Sequence, residues 1–137
     1  MSEIINPQDA ELEEVILGSC LIESKAITLI ADILRPEAFY NEKNLEIYAT
    51  LQSMYRNGQK IDIITVKEEL TRRGKLEFIG GPYTLAHISG RVASSAHLEY
   101  HARILKQKYI RRETILGFHK LLALAADETT DIDLSLI

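Results

Sequence analysis

At 137 residues the chain has room for one domain that buries roughly two-thirds of its unfolded surface. Its balance of 46% hydrophobic and 26% charged residues is that of a folded globular protein and excludes a disordered or low-complexity chain. A net charge of -4 argues against tight, sequence-independent DNA binding by the whole domain, which needs a basic surface.

The hydrophobic pattern is helical nearly throughout. Asn6 and Pro7 suit the opening of a first helix, as cap and first helical residue. Leu12, Val15, Ile16 and Ile22 follow at helical spacing, with acidic residues in the first turns where the helix dipole favours them. Gly18 inside this helix is read as a place for close helix approach. Ser24 is positioned to cap a second helix that buries Ile27, Ile30, Ile33 and Leu34, and Pro36 ends it. Residues 44–55 form the clearest helix, with Ile47, Tyr48, Leu51, Met54 and Tyr55 on one face and Asn57-Gly58 as its stop. Residues 61–64 read as briefly extended. Thr65-x-x-Glu68 has the form of a capping box opening a short helix that ends near Gly74.

R-R-G-K-L-E-F-I-G-G-P-Y at residues 72–83 reads as a helix stop, an apolar knot of Leu76, Phe78 and Ile79, and a double-glycine restart. A short helix over 82–89 and a loop over 90–95 come next. The longest element follows, about 96 to 126, without proline and with Gly117 as its one glycine. At about 1.5 Å per residue it would be roughly 45 Å long, so part of it is expected to project from so small a domain. Leu98, Leu105, Tyr109 and Leu116 make one apolar line on it; Ile104, Ile115, Phe118, Leu122 and Ala126 make a second, and two lines imply two partners. Thr130-x-x-Asp133 looks like the start of one more helix.

Catalytic and cofactor motifs are not found. G-x-x-x-x-G-K-[ST] does not occur, and Gly80-Gly81 is followed by Pro-Tyr, which suits a structural turn and not a phosphate loop. The single Cys20 allows no internal disulfide and no thiolate-rich zinc site, and fits a reducing, cytoplasmic setting. His97 and His101 share a helix face but lack a third ligand, so no metal site is assigned. The acid pairs Glu13-Glu14 and Glu68-Glu69 read as solvated helix faces, and Phe39, Tyr40, Tyr48 and Tyr55 as core positions with a surface subset open to an interface. The start of the chain lacks the pattern of a signal peptide, and no apolar run reaches bilayer-spanning length.

The basic run Arg103, Lys106, Lys108, Arg111 and Arg112 has two readings: a solvated face partly paired with acids, or a contact for DNA or an acidic partner. For the second, Arg103, Lys106, Arg111 and Arg112 are the candidate contacts, although they do not share one face. A helix-turn-helix over the two middle helices is disfavoured by the long connection 57–64.

Taken in order, N-P-Q-D-A-E near the start, V-I-L-G-S-C-L-I at 15–22, R-P-E-A-F-Y at 35–40, I-Y-A-T-L at 47–51, N-G-Q-K-I-D-I-I-T-V at 57–66, E-E-L-T-R-R-G at 68–74, L-E-F-I-G-G at 76–81, Y-H-A-R-I-L at 100–105 and the Arg111-Arg112-Glu113 step resemble the N-terminal domain of DnaB-type replicative DNA helicases. The resemblance runs from residue 6 to about 134. It departs at Thr84, where the family commonly has an aromatic, and at His97, where it commonly has Asn.

The resemblance implies an all-α fold: a compact helical head, residues 1–95, and over 96–137 a long helix that forms the first arm of a helical hairpin and the start of the second. It implies a fragment of a longer chain whose ATP- and Mg-dependent motor lies C-terminal to this domain, so that the fragment itself has no catalytic, cofactor or metal residues. Hairpins would pair into dimers, and dimers into a trimer of dimers in a hexameric ring. The implied partners are a second copy, primase, a helicase loader, and DNA through the parent ring, with no membrane. Leu105, Tyr109, Leu116 and Phe118 are the expected interface residues. The alternative from another class is a small helical DNA-binding protein using segment 103–112.

Overall fold

A computed structural model describes residues 7–129, and every regular element among them is helical. Six α-helices follow in chain order: α1 (Ala10–Ile22), α2 (Ile27–Ile30), α3 (Glu42–Arg56), α4 (Ile63–Arg72), α5 (Pro82–Gly90) and α6 (Leu98–Ala126), with a 3-10 turn, Pro36–Ala38, between α2 and α3. Asn6 and the Thr130/Asp133 helix start lie outside the described residues.

Helix starts follow the capping chemistry at positions shifted from the expected ones. α1 begins after Asp9, whose Oδ1 accepts the Leu12 N–H at 3.0 Å; Pro7 precedes the helix and is not its first residue. Ser24 caps nothing, for α2 starts after Ala26 without a side-chain cap. Asn41 caps α3, its Oδ1 accepting from the amides of Lys43 and Asn44 at 2.9 and 3.1 Å. The extended stretch expected over 61–64 is also corrected. Asp62 is the cap of α4 and Ile63 its first residue; the capping box pairs Asp62 with Thr65, not Thr65 with Glu68. Those hydrogen bonds, the Thr65 amide first, draw the Asp62 carboxyl below its ordinary range.

The core gathers Ile16, Leu17 and Cys20 of α1, Ile27 and Ile30 of α2, Ile47, Tyr48 and Leu51 of α3, Val66 and Leu70 of α4, Leu85 and Ile88 of α5, and Leu98, Ala102 and Leu105 of α6. Ile22, expected inside, lies exposed at the end of α1, and Tyr40 and Tyr55 are also partly exposed. Burial pushes the Cys20 thiol up to about 12, so it stays protonated and inert at neutral pH. Tyr48 stacks on Phe39 with centroids 4.6 Å apart and donates its hydroxyl to the Leu34 carbonyl at 3.1 Å.

Two glycine positions set the angles between helices. A Cβ on Gly18 would sit 2.6 Å from both the Ile88 carbonyl oxygen and Val92 Cγ2, so the absence of a side chain lets α1 lie directly against α5, as the sequence predicts. Gly80 and Gly81 hold φ of +107° and +81°, a left-handed pair that L side chains rarely adopt, and Pro82 then restarts the chain as α5. Of the apolar knot before them, Ile79 is buried, Leu76 packs on the core edge, and Phe78 faces outward beneath Lys75.

Candidate interaction surface

Four of the charged side chains read as solvated or partner-facing are in the interior or hold the fold. Glu13 is 1% exposed; its carboxylate accepts the Tyr40 N–H at 2.8 Å, the Asn41 N–H at 3.3 Å and the Asn44 amide nitrogen at 3.0 Å. It therefore ties α1 to the entry of α3, while its neighbour Glu14 faces Arg91 in an ion pair. Glu69 lies against the surface under Arg72 and Arg73, whose hydrogen bonds hold its carboxyl down at about 2. Arg103 pairs with Glu99 one turn back at 3.0 Å.

Arg112 is the most consequential correction. It is buried, and its guanidinium donates to the carbonyls of Pro7 at 2.7 Å, Ala38 at 3.2 Å and Glu37 at 3.4 Å. Its Cζ lies 5.2 Å from the Tyr40 ring centroid and 5.5 Å from that of Tyr109. It is not available to DNA or to a partner. With Arg112 inside and Arg103 tied to Glu99, the basic run does not form one surface; Lys106 and Arg111 remain exposed.

α6 packs on the head through α1, α2 and the 3-10 turn. Its buried positions are Leu98, Ala102, Leu105 and Arg112, with Tyr109 half-buried between them. Leu105 is 0% exposed and belongs to the head's own core, so it is removed from the expected interface set. Past Arg112 no residue of α6 is buried. The arm from 113 to 126 thus projects by about 20 Å at 1.5 Å per residue.

That arm is apolar on faces the head does not use. Phe118 and Leu122 are each 67% exposed and Leu116 is 45% exposed. At about 100° per residue, Leu116 continues the line of Leu98, Leu105 and Tyr109 beyond the head. Ile115, Phe118 and Leu122 lie on a second line roughly 120° round the helix. Phe118 and Leu122, one turn apart, form an exposed apolar stripe, the kind of surface on which interaction sites are built. Arg112 and Glu13 have one sequence signal that reveals them: each falls at helical spacing with inward-facing residues, buried Leu105 and half-buried Tyr109 for the first, buried Ile16 and Leu17 for the second.

A family model described as DnaB-like helicase N terminal domain matches residues 5–107. Replicative DNA helicase DnaB of Rhodothermus marinus is 43% identical over 108 residues, 79% of this chain and 12% of that protein. Replicative DNA helicase DnaC of Bacillus subtilis (strain 168) is 33% identical over 119 residues, 84% of this chain and 26% of that protein. Among solved structures, the N-terminal domain of DnaB helicase from Mycobacterium tuberculosis superposes with a TM-score of 0.85 at 30% identity, covering 91% of both chains. A DnaB-like replicative helicase, described with its interactions with primase, superposes with a TM-score of 0.74 at 28% identity, over 84% of this chain and 27% of that one. The chain spans between 12% and 26% of the length of these curated relatives.

Proposed function

The chain belongs to the DnaB-like helicase N-terminal domain family, and on that premise we propose that it is the assembly and primase-docking module of a replicative DNA helicase. The observation that carries this reading is the apolar stripe of Phe118 and Leu122, with Leu116 exposed on the other line, on an arm that has left the head. Covering it against a second copy's arm removes apolar area from water at roughly 25 cal/mol per Å², offset by the entropy of association. The chain's own part is mechanical. The head holds α6 at a set angle, and the arm supplies the surface on which a hairpin dimer, and from dimers a hexameric collar, is built.

Within that reading the unwinding of DNA, the ATP and Mg2+ it needs, the contact with a loader and the cytoplasmic setting belong to the parent protein. The likeness to a helicase described with its primase supports primase as the docked partner.

The test is sedimentation equilibrium of the chain, with and without the replicative primase of the same organism, for the parent sequence and for Phe118→Asp/Leu122→Asp. Self-association and primase binding are expected in the parent, and the double substitution is expected to weaken both while leaving the helical circular dichroism intact. A chain that stays monomeric and ignores primase at ~1 mM overturns the reading, as does a double variant that behaves like the parent.

A further inference from the structure

A groove of about 470 Å³ lies on the head between the segment 31–38, the end of α3 and the middle of α6. That volume falls in the range of sites that hold a ligand or a peptide side chain. Its lining mixes polar and apolar surface; the apolar part that a ligand can touch is half-buried Ile33 and Ile110, which is 43% exposed, over buried Leu34 and Ala38. The wall is braced by Gln52, whose side-chain nitrogen donates to the carbonyls of Ala31 and Leu34 at 3.1 and 3.3 Å. The cavity is therefore pre-formed.

Its rim carries three exposed cations, Arg35, Arg56 and Lys106, brought together from distant parts of the sequence. None of them has an ion pair or side-chain hydrogen bond among the described residues. Five of the other six arginines are engaged, Arg72 and Arg73 by Glu69, Arg91 by Glu11 and Glu14, Arg103 by Glu99 and Arg112 by carbonyls, and exposed Arg111 is the exception. Attraction to a helix C-terminus accounts for Arg56 at the end of α3, but not for Arg35 or Lys106. In a chain of net charge -4, three cations without ion pairs among the described residues, gathered round one groove, are a local exception.

We propose that this groove receives an acidic peptide segment of a partner protein, with one bulky apolar side chain on Ile33 and Ile110 and carboxylates on Arg35, Arg56 and Lys106. A nucleic-acid backbone fits less well. Exposed Asp32 stands on the same rim, and the floor offers aliphatic carbon with a single half-buried ring, Tyr109, in place of a stacking platform. A peptide meets Asp32 with its backbone amides and fills the floor with a leucine or phenylalanine.

The probe is a fluorescein-labelled dodecapeptide with Asp and Glu flanking a central Leu-Phe, read by fluorescence anisotropy at ~50 mM salt. The chain is expected to bind it, with Arg35→Glu/Arg56→Glu/Lys106→Glu weakening it by at least about tenfold and Asp32→Asn tightening it. The same peptide with lysine in place of its acids is expected to prefer the charge-reversed variant. Phe118→Asp/Leu122→Asp, which tests the arm, is expected to leave peptide binding unchanged, so the two readings fail separately. The proposal is overturned if the acidic peptide binds no better than the lysine one. It is also overturned if a twelve-nucleotide oligo-dT binds more tightly with the same dependence on the three cations, or if charge reversal abolishes self-association while peptide binding persists.

Discussion

Arg111 and Arg112 are adjacent, alike in the sequence and opposite in the structure, and substituting each by alanine separates them. At Arg112 the loss includes one short charge-assisted hydrogen bond to the Pro7 carbonyl at 2.7 Å, about 1.5–3 kcal/mol. The longer bonds at 3.2 and 3.4 Å contribute less. The rings of Tyr40 and Tyr109, at 5.2 and 5.5 Å, add roughly 0.5–2 kcal/mol each. Against this stands relief from burying a cation that has no carboxylate partner, since alanine leaves no opposite charge behind. The balance is a destabilisation of about 2–4 kcal/mol for Arg112→Ala, and within about 0.5 kcal/mol of zero for exposed Arg111→Ala. In urea unfolding followed by circular dichroism, only the first is expected to move the midpoint clearly. Equal shifts for the two would refute the assignment of Arg112 as the staple between α6 and the head.

Glu13→Ala strips the acceptor from three inward donors and is expected to cost about 3–5 kcal/mol in the same assay, whereas Glu14→Ala, losing one partly exposed ion pair with Arg91, is expected to cost under about 1. Gly18→Ala is expected to destabilise by about 1–3 kcal/mol although alanine is the better helix former, because its Cβ meets a backbone carbonyl at 2.6 Å; a melting temperature at or above the parent's would show that α1 and α5 have room to separate. For Glu69 the folded carboxyl, at about 2, is below its ordinary 4.5. Its stabilisation is then fully present above pH 4.5 and lost as pH falls toward 2, so denaturant midpoints of Glu69→Gln are expected to converge on the parent's across that window and to diverge above it.

What could be read from the sequence follows the strength of the periodicity. α3 was legible because four buried residues, Ile47, Tyr48, Leu51 and Met54, repeat on one face, and α6 because nothing interrupts it. The start of α4 was not, because Ile61-Asp62-Ile63-Ile64 alternates like a strand, and only the hydrogen bonds between Asp62 and Thr65 reveal the cap. Charge misleads in the same way at Glu13, Glu69 and Arg112: a residue type normally solvated is buried here, because its position on the helix face points inward. Leu105 shows the reverse error, an apolar residue given to a partner when the head itself takes it. The rim of Arg35, Arg56 and Lys106 could not be read at all, since only the packing of α6 against the segment after α2 brings the three together.

The two apolar lines of α6 explain why one helix can serve two purposes without conflict. Taken over its whole length the helix has no single greasy side, because its apolar residues are divided between two lines roughly 120° apart. Taken in halves it divides at Arg112. N-terminal to it, Leu98, Ala102 and Leu105 are committed to the head core; C-terminal to it, Phe118 and Leu122 touch nothing there. A guanidinium at the last buried turn suits that boundary. It is long enough to reach the carbonyls of Pro7, Glu37 and Ala38, and its flat faces lie over Tyr40 and Tyr109, so it fixes the rotation of α6 where a rounded aliphatic side chain would not. Rotation decides which way the free stripe points. A shift of one residue at the staple would turn Phe118 and Leu122 by about 100° and so turn the exposed stripe to a different side. On the proposed pairing of arms, the angle at which they meet is therefore set in the head, by Arg112, and not in the arm that makes the contact.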